Sequence, residues 1–420
     1  MPLGARPANT RISKKERNLM DKSIISQYRQ KLTDELFSSV LPFWEKYGAD
    51  TENGGVRTCL TREGKVFSAE KSVWMQGRGG WMFSHVYNEF GKQQKWLDMA
   101  KSCLDFTQAN CIDPVDGRMY FTVGDDGTPV RKRRYTYSEF FYIMSCAEYY
   151  AATGDMAYLE EARKYYHMVF EIHRNPSKDP YKITPKFLST APAMRGLCDS
   201  NVLILVSRTL RACDAAHAEE YIQNEKECIA DICKYHFNEQ YGTLMEAVGP
   251  NGEYIGSLSS GRITNPGHCM EAAWGLLREA EELNMPELIP FVEKAYAGAM
   301  NHGWDKEYGG LLYFVDVEGY PPQAYEHDMK LWWVHTEALI AAIKLYRVTG
   351  KECYFKDFEM IADYCFTHFN DEVYGEWYGY LRRDGAPTEP RAKGNVFKGP
   401  FHVPRMYCEV IQELEKLENQ

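Results

Sequence analysis

Two histidines stand just after helix-opening turns: His268 in Asn-Pro-Gly-His-Cys-Met-Glu-Ala-Ala-Trp and His402 in Gly-Pro-Phe-His-Val-Pro-Arg. An imidazole with an unperturbed pKa of roughly 6.5 is the side chain best suited to remove a proton beside a carbonyl at neutral pH, and its conjugate acid is the best donor for the return. Two of them on opposite walls of a pocket would invert a stereocentre. The intermediate is an enediolate, and a fixed guanidinium stabilises its developing negative oxygen more than the ground-state carbonyl. Arg78, in Val-Trp-Met-Gln-Gly-Arg, is the candidate for that task. His85, His167 and His236 read instead as hydrogen-bonded core residues, the commoner fate of a lone histidine in an apolar helix.

Further polar and aromatic candidates surround these three. Trp74 and Gln76 precede Arg78, Tyr137 and Glu139 open a later helix, and Asn201 lies in another. Glu271 follows His268 by three residues, on the same helical face, where it can hydrogen-bond a substrate or hold the imidazole's tautomer; Trp274 continues that stripe. Lys-Leu-Trp-Trp-Val-His-Thr-Glu supplies Trp333, His335 and Glu337, and Arg405 follows His402 by one turn. The tryptophans offer flat apolar faces to a sugar ring, with ordinary core packing as their alternative. His335 is read as a substrate contact, against the alternative that its tryptophan neighbours simply pack it. There is no H-E-x-x-H and no Walker loop, and H-x-x-E alone is a weak metal signal, so no metal site is expected.

A repeated element positions these residues. A loop rich in Gly, Asp, Asn and Tyr recurs at Asp50–Gly55, Asp113–Gly117, Asn238–Gly242, Asp305–Gly310 and Asp371–Gly375. The final glycines are 62, 125, 68 and 65 residues apart, so the long gap is two steps and hides a worn copy near Asp179–Lys182. The period is about 65. Short alternating stretches such as Met119–Gly127 and Leu311–Gly319 read as small hairpins. Each is followed by a helix-turn-helix unit, at 70–110, 135–173, 195–237, 266–303 and 327–369. That leaves single helices at 22–46 and 401–418. Together they make a sixth pair, because a closed ring buries both terminal faces whereas an open solenoid needs polar caps. The expected fold is all-α: an (α/α)6 barrel of six inner and six outer helices, the first helix of each internal pair inside, with short β-hairpins in the rim loops and the pocket at the mouth.

Composition is consistent with this. The 420 residues are 44% hydrophobic and 14% aromatic, enough for a large core. With 49 basic and 59 acidic residues the net charge is −10, which repels nucleic acid and anionic membrane and suits a neutral small molecule. Twelve cysteines include no C-x-x-C pair, which points to a reducing, cytoplasmic setting. No apolar run reaches the length of a membrane span, and residues 1–20 are polar and basic without the apolar middle of a signal peptide. They are read as a flexible extension preceding one catalytic domain, 21–420.

Trp-Met-Gln-Gly-Arg78, Asn-Pro-Gly-His268-x-x-Glu271, Met-Lys-Leu-Trp-Trp-x-His335-x-Glu337, Tyr-Gly-Glu-Trp-Tyr-Gly-Tyr380 and Phe-Lys-Gly-x-Phe-His402-Val-Pro-Arg405 occur in the order found in the N-acylglucosamine 2-epimerase family. The chain resembles that family over roughly residues 22–418. The resemblance implies the same barrel, a homodimer, and interconversion of N-acetylglucosamine and N-acetylmannosamine without a redox cofactor, with ATP as an activating effector. It also implies that His268 and His402 are the acid/base pair and that Arg78 and Glu337 are essential. Cellobiose epimerases, mannose epimerases and aldose-ketose isomerases share the framework, so the reaction class is better defined than the substrate. Two rivals remain open. A glycoside hydrolase would use carboxylates such as Glu139, Glu271 and Glu337. A protein that sequesters a protease, as the family's other name of renin-binding protein suggests, would need neither histidine.

Overall fold

In a computed structural model the described residues are 14–132, 136–175 and 194–420, with side chains from Lys22 onward. Residues 1–13, and the worn repeat expected near Asp179–Lys182, lie outside them.

Twelve principal helices are present among the described residues. α1, Lys14–Glu35, continues in further helical turns to Gly48. The others form five hairpins and a final single helix: α2 (Val73–Glu89) with α3 (Gln94–Asn110), α4 (Tyr137–Thr153) with α5 (Met156–Arg174), α6 (Leu197–Cys213) with α7 (Ala218–Asp231), α8 (Pro266–Glu282) with α9 (Leu288–Gly303), α10 (Trp332–Thr349) with α11 (Glu352–His368), and α12 (His402–Glu418). α1 begins ahead of residue 22, since Lys14-Lys15-Glu16-Arg17 are good helix formers that carry no apolar face to announce a helix.

The even-numbered helices pack on one another in sequence, α2 on α4, α4 on α6, and so on to α12, which closes back onto α2. The odd-numbered helices lie outside, and α1 packs on α12 as the sixth pair. The architecture is the expected (α/α)6 barrel. α10 illustrates why the inner helices are inner: Trp332 through Leu345 are all buried, so the helix has no solvent face. Terminators are local. Gly154 and Gly350 take left-handed conformations after α4 and α10, and the Asp155 carboxylate accepts from Ala157 N–H to start α5.

The inner helices run parallel, because their first turns meet at one end and their last turns at the other. At the far end Arg211 of α6 bonds Glu279 of α8 at 2.8 Å, Arg347 of α10 bonds Glu281 of α8 at 2.5 Å, and Glu148 of α4 takes His85 of α2 at 3.2 Å.

Two-residue strands hold the mouth. Lys71–Ser72, Arg195–Gly196, Ile263–Thr264 and Lys330–Leu331, each leading into an inner helix, pair antiparallel with Thr122–Val123, Ala247–Val248, Val315–Asp316 and Tyr380–Leu381 of rim loops. The stretch Met119–Gly127 does form a hairpin with Pro129–Arg131. The stretch Leu311–Gly319 does not fold back on itself as expected: its strand pairs with Ile263–Thr264, so it ties one inner helix to the next rim loop.

The repeated loops owe their composition to a buried ion pair. The Asp50 and Asp305 carboxylates each accept backbone N–H groups two and three residues on and take the Nζ of Lys71 at 2.6 Å and Lys330 at 2.9 Å. Asp371 takes Lys393 at 2.9 Å in the same manner. A carboxylate so bonded is held well below its usual range despite burial, and its turn becomes a fixed strut.

Candidate active site

The first turns of the six inner helices converge at the mouth. Asn265 caps α8 by accepting from His268 N–H at 3.2 Å with Pro266 at the first helical position, and His402 is the first residue of α12, followed by Pro404 where no intrahelical N–H partner is needed. Six aligned N-termini also bias this space toward negative charge.

His402 and Glu337 form one half of the site. Nδ1 of His402 lies 2.8 Å from Oε1 of Glu337. A carboxylate only accepts, so Nδ1 carries the hydrogen and Nε2, which bonds no described residue, presents its lone pair. Burial, reinforced by the cations Arg78 and Arg405 against the pull of Glu337, lowers His402 to about 3, leaving it neutral. Glu337 itself, although fully buried, is lowered to about 2 by Arg405 and His402. It accepts from Arg405 Nη2 at 2.7 Å and from Trp274 Nε1 at 2.8 Å.

His268 and Glu246 form the other half. Nδ1 of His268 sits 3.0 and 2.8 Å from the two oxygens of Glu246. Burial opposes the charged imidazolium, but Glu246, with the Cys198 side chain beside it, raises His268 well above its ordinary value. The two histidines pack on one indole, Trp333, at centroid distances of 5.0 Å for His268 and 5.8 Å for His402. The environments therefore push the two in opposite directions, His268 upward and His402 downward, which is the arrangement an acid/base pair would use.

Arg78 lies between the Phe141 and Phe401 rings, at 4.1 and 4.7 Å from their centroids, and its buried Nε has no protein partner. Burial and the neighbouring Arg405 lower it to about 9, still cationic at neutral pH. Arg405, over Trp274, bonds Glu271 at 3.2 Å as well as Glu337, while its Nε and Nη1 remain unpartnered. Asn201 Nδ2 reaches the second oxygen of Glu271 at 3.1 Å. Glu271 is raised by burial and by the charge of Glu337. Buried donors left without acceptors, here on two guanidiniums, mark a place where a ligand with electron-rich oxygens fits.

Trp74 and Tyr137 form an aromatic wall, ring centroids 5.3 Å apart, with Tyr137 donating to Asp199 at 2.8 Å. The exposed Phe397 packs on Trp74 at 6.2 Å.

Two of the expected substrate contacts face elsewhere. Gln76 is fully buried, its amide clamping Val56 N–H and C=O at 2.8 Å each, so it fixes a rim loop rather than meeting a ligand. His335 donates from Nδ1 to Leu331 C=O at 2.8 Å and accepts at Nε2 from Leu311 N–H at 2.9 Å, leaving no free nitrogen. Its role is structural, and burial lowers it to about 3. Glu139 is also internal, paired with Arg118 at 2.7 Å. Of the histidines read as core, His236 is buried and bonded to Met245 C=O, His85 is partly buried against Glu148, and His167 lies on the surface beside Glu220.

Glu246 is the residue that spacing alone did not single out. It lies four residues after the loop glycine Gly242, as Phe121 follows Gly117 and Gly379 follows Gly375. All three carbonyls accept from the first N–H of an inner helix, at 3.0 Å from Leu197, Val73 and Trp332. The repeat register would thus have placed it at the mouth.

No cluster of three or more metal-ligating side chains occurs among the described residues, and no helix there is long and apolar enough to cross a membrane.

Fold and site together describe two carboxylate-held histidines and two buried guanidiniums at the mouth of an (α/α)6 barrel. The chain belongs to the N-acylglucosamine 2-epimerase (GlcNAc 2-epimerase) family, whose model matches residues 54–397. It is 35% identical over 398 residues to the N-acylglucosamine 2-epimerase of Rattus norvegicus, covering 93% of each chain. It is 35% identical over 390 residues to that of Homo sapiens, covering 92% of this chain and 90% of the relative. The cellobiose 2-epimerase structure from Bacillus thermoamylovorans B4167 shares the fold, with a TM-score of 0.80 at 23% identity, covering 92% of this chain and 99% of that one.

Proposed function

We propose that the protein interconverts N-acetylglucosamine and N-acetylmannosamine by moving a proton at C2 of the open-chain sugar. The observation that carries this reading is the pair of imidazoles, His268 and His402, that pack on the one indole of Trp333 and are each held at Nδ1 by a carboxylate. His402, neutral with a free Nε2, removes the C2 proton. The electron pair moves into the C1–C2 bond and the C1 carbonyl oxygen becomes an enolate oxygen, stabilised by the Arg78 guanidinium. His268, charged, returns a proton to the opposite face and epimerises the centre. The reverse reaction exchanges the two roles. Glu337 holds the base, Arg405 and Glu271 bind sugar hydroxyls, and Trp74, Tyr137 and Trp333 line the ring's apolar faces. The N-acyl substrate follows the mammalian relatives' names.

Cellobiose 2-epimerase is the second reading, favoured by the fold likeness above. A hydrolase is less compatible, because Glu337 is held by His402, Arg405 and Trp274, Glu271 by Asn201 and Arg405, and Glu139 by Arg118, and hydrolysis has no evident use for both histidines. A protease-sequestering role does not account for the separated histidines. We place the protein in the cytoplasm as a homodimer, with ATP as an effector. The buried cations Lys71, Lys330 and Lys393 are each paired with an aspartate, so a triphosphate finds no cradle among them, and no step runs through ATP.

Incubation with N-acetylglucosamine, glucose and cellobiose in parallel, with and without ATP, tests the reading. N-acetylmannosamine as product supports it, while turnover of glucose or cellobiose alone moves the assignment to the second reading. No turnover of any sugar would overturn both.

A further inference from the structure

The site described so far contains a carboxylate that neither the sequence motifs nor the family relationship assigns. We propose that Glu246 is a positioning residue that orients His268 and holds it as the proton donor, so that a resting enzyme begins a cycle with His402 as the acceptor. This rests on the acid/base reading above.

The geometry favours a built pair over a chance contact. Glu246 is fixed at both backbone ends: its N–H donates to Ile263 C=O at 2.9 Å and its C=O accepts from Leu197 N–H at 3.0 Å. It is therefore clamped between the entries to α6 and α8, the helix that carries His268. Both carboxylate oxygens then lie within 3.0 Å of Nδ1, so that nitrogen keeps its hydrogen and Nε2 is the one available to substrate. Trp333 covers the ring from α10.

Of the other groups facing His268, the Cys198 side chain is a second hydrogen-bond partner, and no other described carboxylate is bonded to the ring. Cys198 approaches from α6, Tyr313 from the loop before α10, and Glu271 and Cys269 from its own helix. Tyr313 is pushed up to about 12 by burial and stays neutral. Glu271 is engaged with Asn201 and Arg405. Glu246 is the one carboxylate bonded to His268.

The two halves of the mouth are thus built alike, each imidazole held at Nδ1 by a carboxylate. They differ in what surrounds the pair. Glu337 is shared with Arg405 and Trp274, whereas among the described residues no cation is bonded to Glu246, so its charge acts on His268 undivided.

The test compares Glu246→Gln and Glu246→Asp with the full-length wild type, following the His268 imidazole by NMR titration and kcat and KM across pH. The proposal expects the His268 midpoint, and with it the alkaline limb of kcat/KM, to move to lower pH in Glu246→Gln. It also expects kcat to fall roughly 10- to 1,000-fold with KM little changed. Glu246→Asp should restore the midpoint and part of the rate. A His268 midpoint unmoved by Glu246→Gln would overturn the proposal, as would equal losses in both variants with the alkaline limb in place. The titration reads Glu246 even if no sugar is turned over, so failure of the epimerase reading is distinguishable from failure of this one.

Discussion

Nδ1 of His402 donates to Oε1 of Glu337 across 2.8 Å, joining the first residue of α12 to the sixth of α10. α12 is packed between α10, which carries Glu337, and α1, so the bond spans the seam where the sixth helix pair closes the ring.

Glu337→Gln should disable the enzyme in two ways. His402 loses the anionic acceptor that fixes its tautomer, since the amide oxygen accepts more weakly and its NH2 can face the ring instead, with an expected kcat loss of roughly 10²- to 10⁴-fold. Arg405 loses its shortest anion contact while fully buried, and breaking a buried pair from one side costs about 3–5 kcal/mol. Steady-state kinetics and denaturant unfolding measure the two effects separately.

Arg78→Lys should lower kcat with little loss of fold. Lysine keeps the charge but forfeits the planar stack between Phe141 and Phe401 and the fork of donors. An expected kcat loss of roughly 10²- to 10³-fold matches removal of one oxyanion donor. Kinetics with a thermal melt as control checks it.

The activity profile should be a broad plateau. His402 is neutral above about 3 and His268 is charged past neutrality, so the competent pair spans the mildly acidic to neutral range. Activity then falls on the alkaline side, as His268 loses its proton. A pH series of kcat/KM measures this.

Stability should follow a different pH rule. His335 and His402 have folded values of about 3 against 6.5 when unfolded, so below 6.5 the unfolded chain binds the extra protons. Their contribution is complete above 6.5 and is lost progressively as pH falls toward 3. His335→Gln should flatten the acid side of the stability curve and lower the melting temperature through the two lost hydrogen bonds. The surviving folded enzyme should retain kcat and KM, which would not hold for a substrate contact. Urea unfolding from pH 4 to 8 with parallel kinetics checks both.

The ring was legible because its evidence is periodic: five loop copies, helical pairs between them and two unpaired terminal helices. The stretch Leu311–Gly319 was misread because its strand is two residues long and pairs with Ile263–Thr264, tens of residues away and beyond the reach of local alternation. At the site, helical spacing placed Glu271, Arg405 and Glu337 on facing turns, and these do meet, whereas the His268 imidazole is held by Glu246 and not by Glu271 on its own helix. The same spacing does not reveal what lies opposite a side chain. His335 and Gln76 were drawn into the constellation by position, but rim-loop backbone at Leu311 and Val56 takes their polar atoms. Glu246 was hidden for the converse reason, lying off the helices where the search for helical faces did not reach.

The most direct test of the two-histidine account is deuterium incorporation at C2 in heavy water, read by proton NMR, for His268→Asn and His402→Asn with each epimer as starting sugar. The account predicts that each variant exchanges the C2 hydrogen of one epimer without inverting it, and that the two variants act on opposite epimers. Inversion surviving in either variant, or both variants exchanging the same epimer, would contradict it.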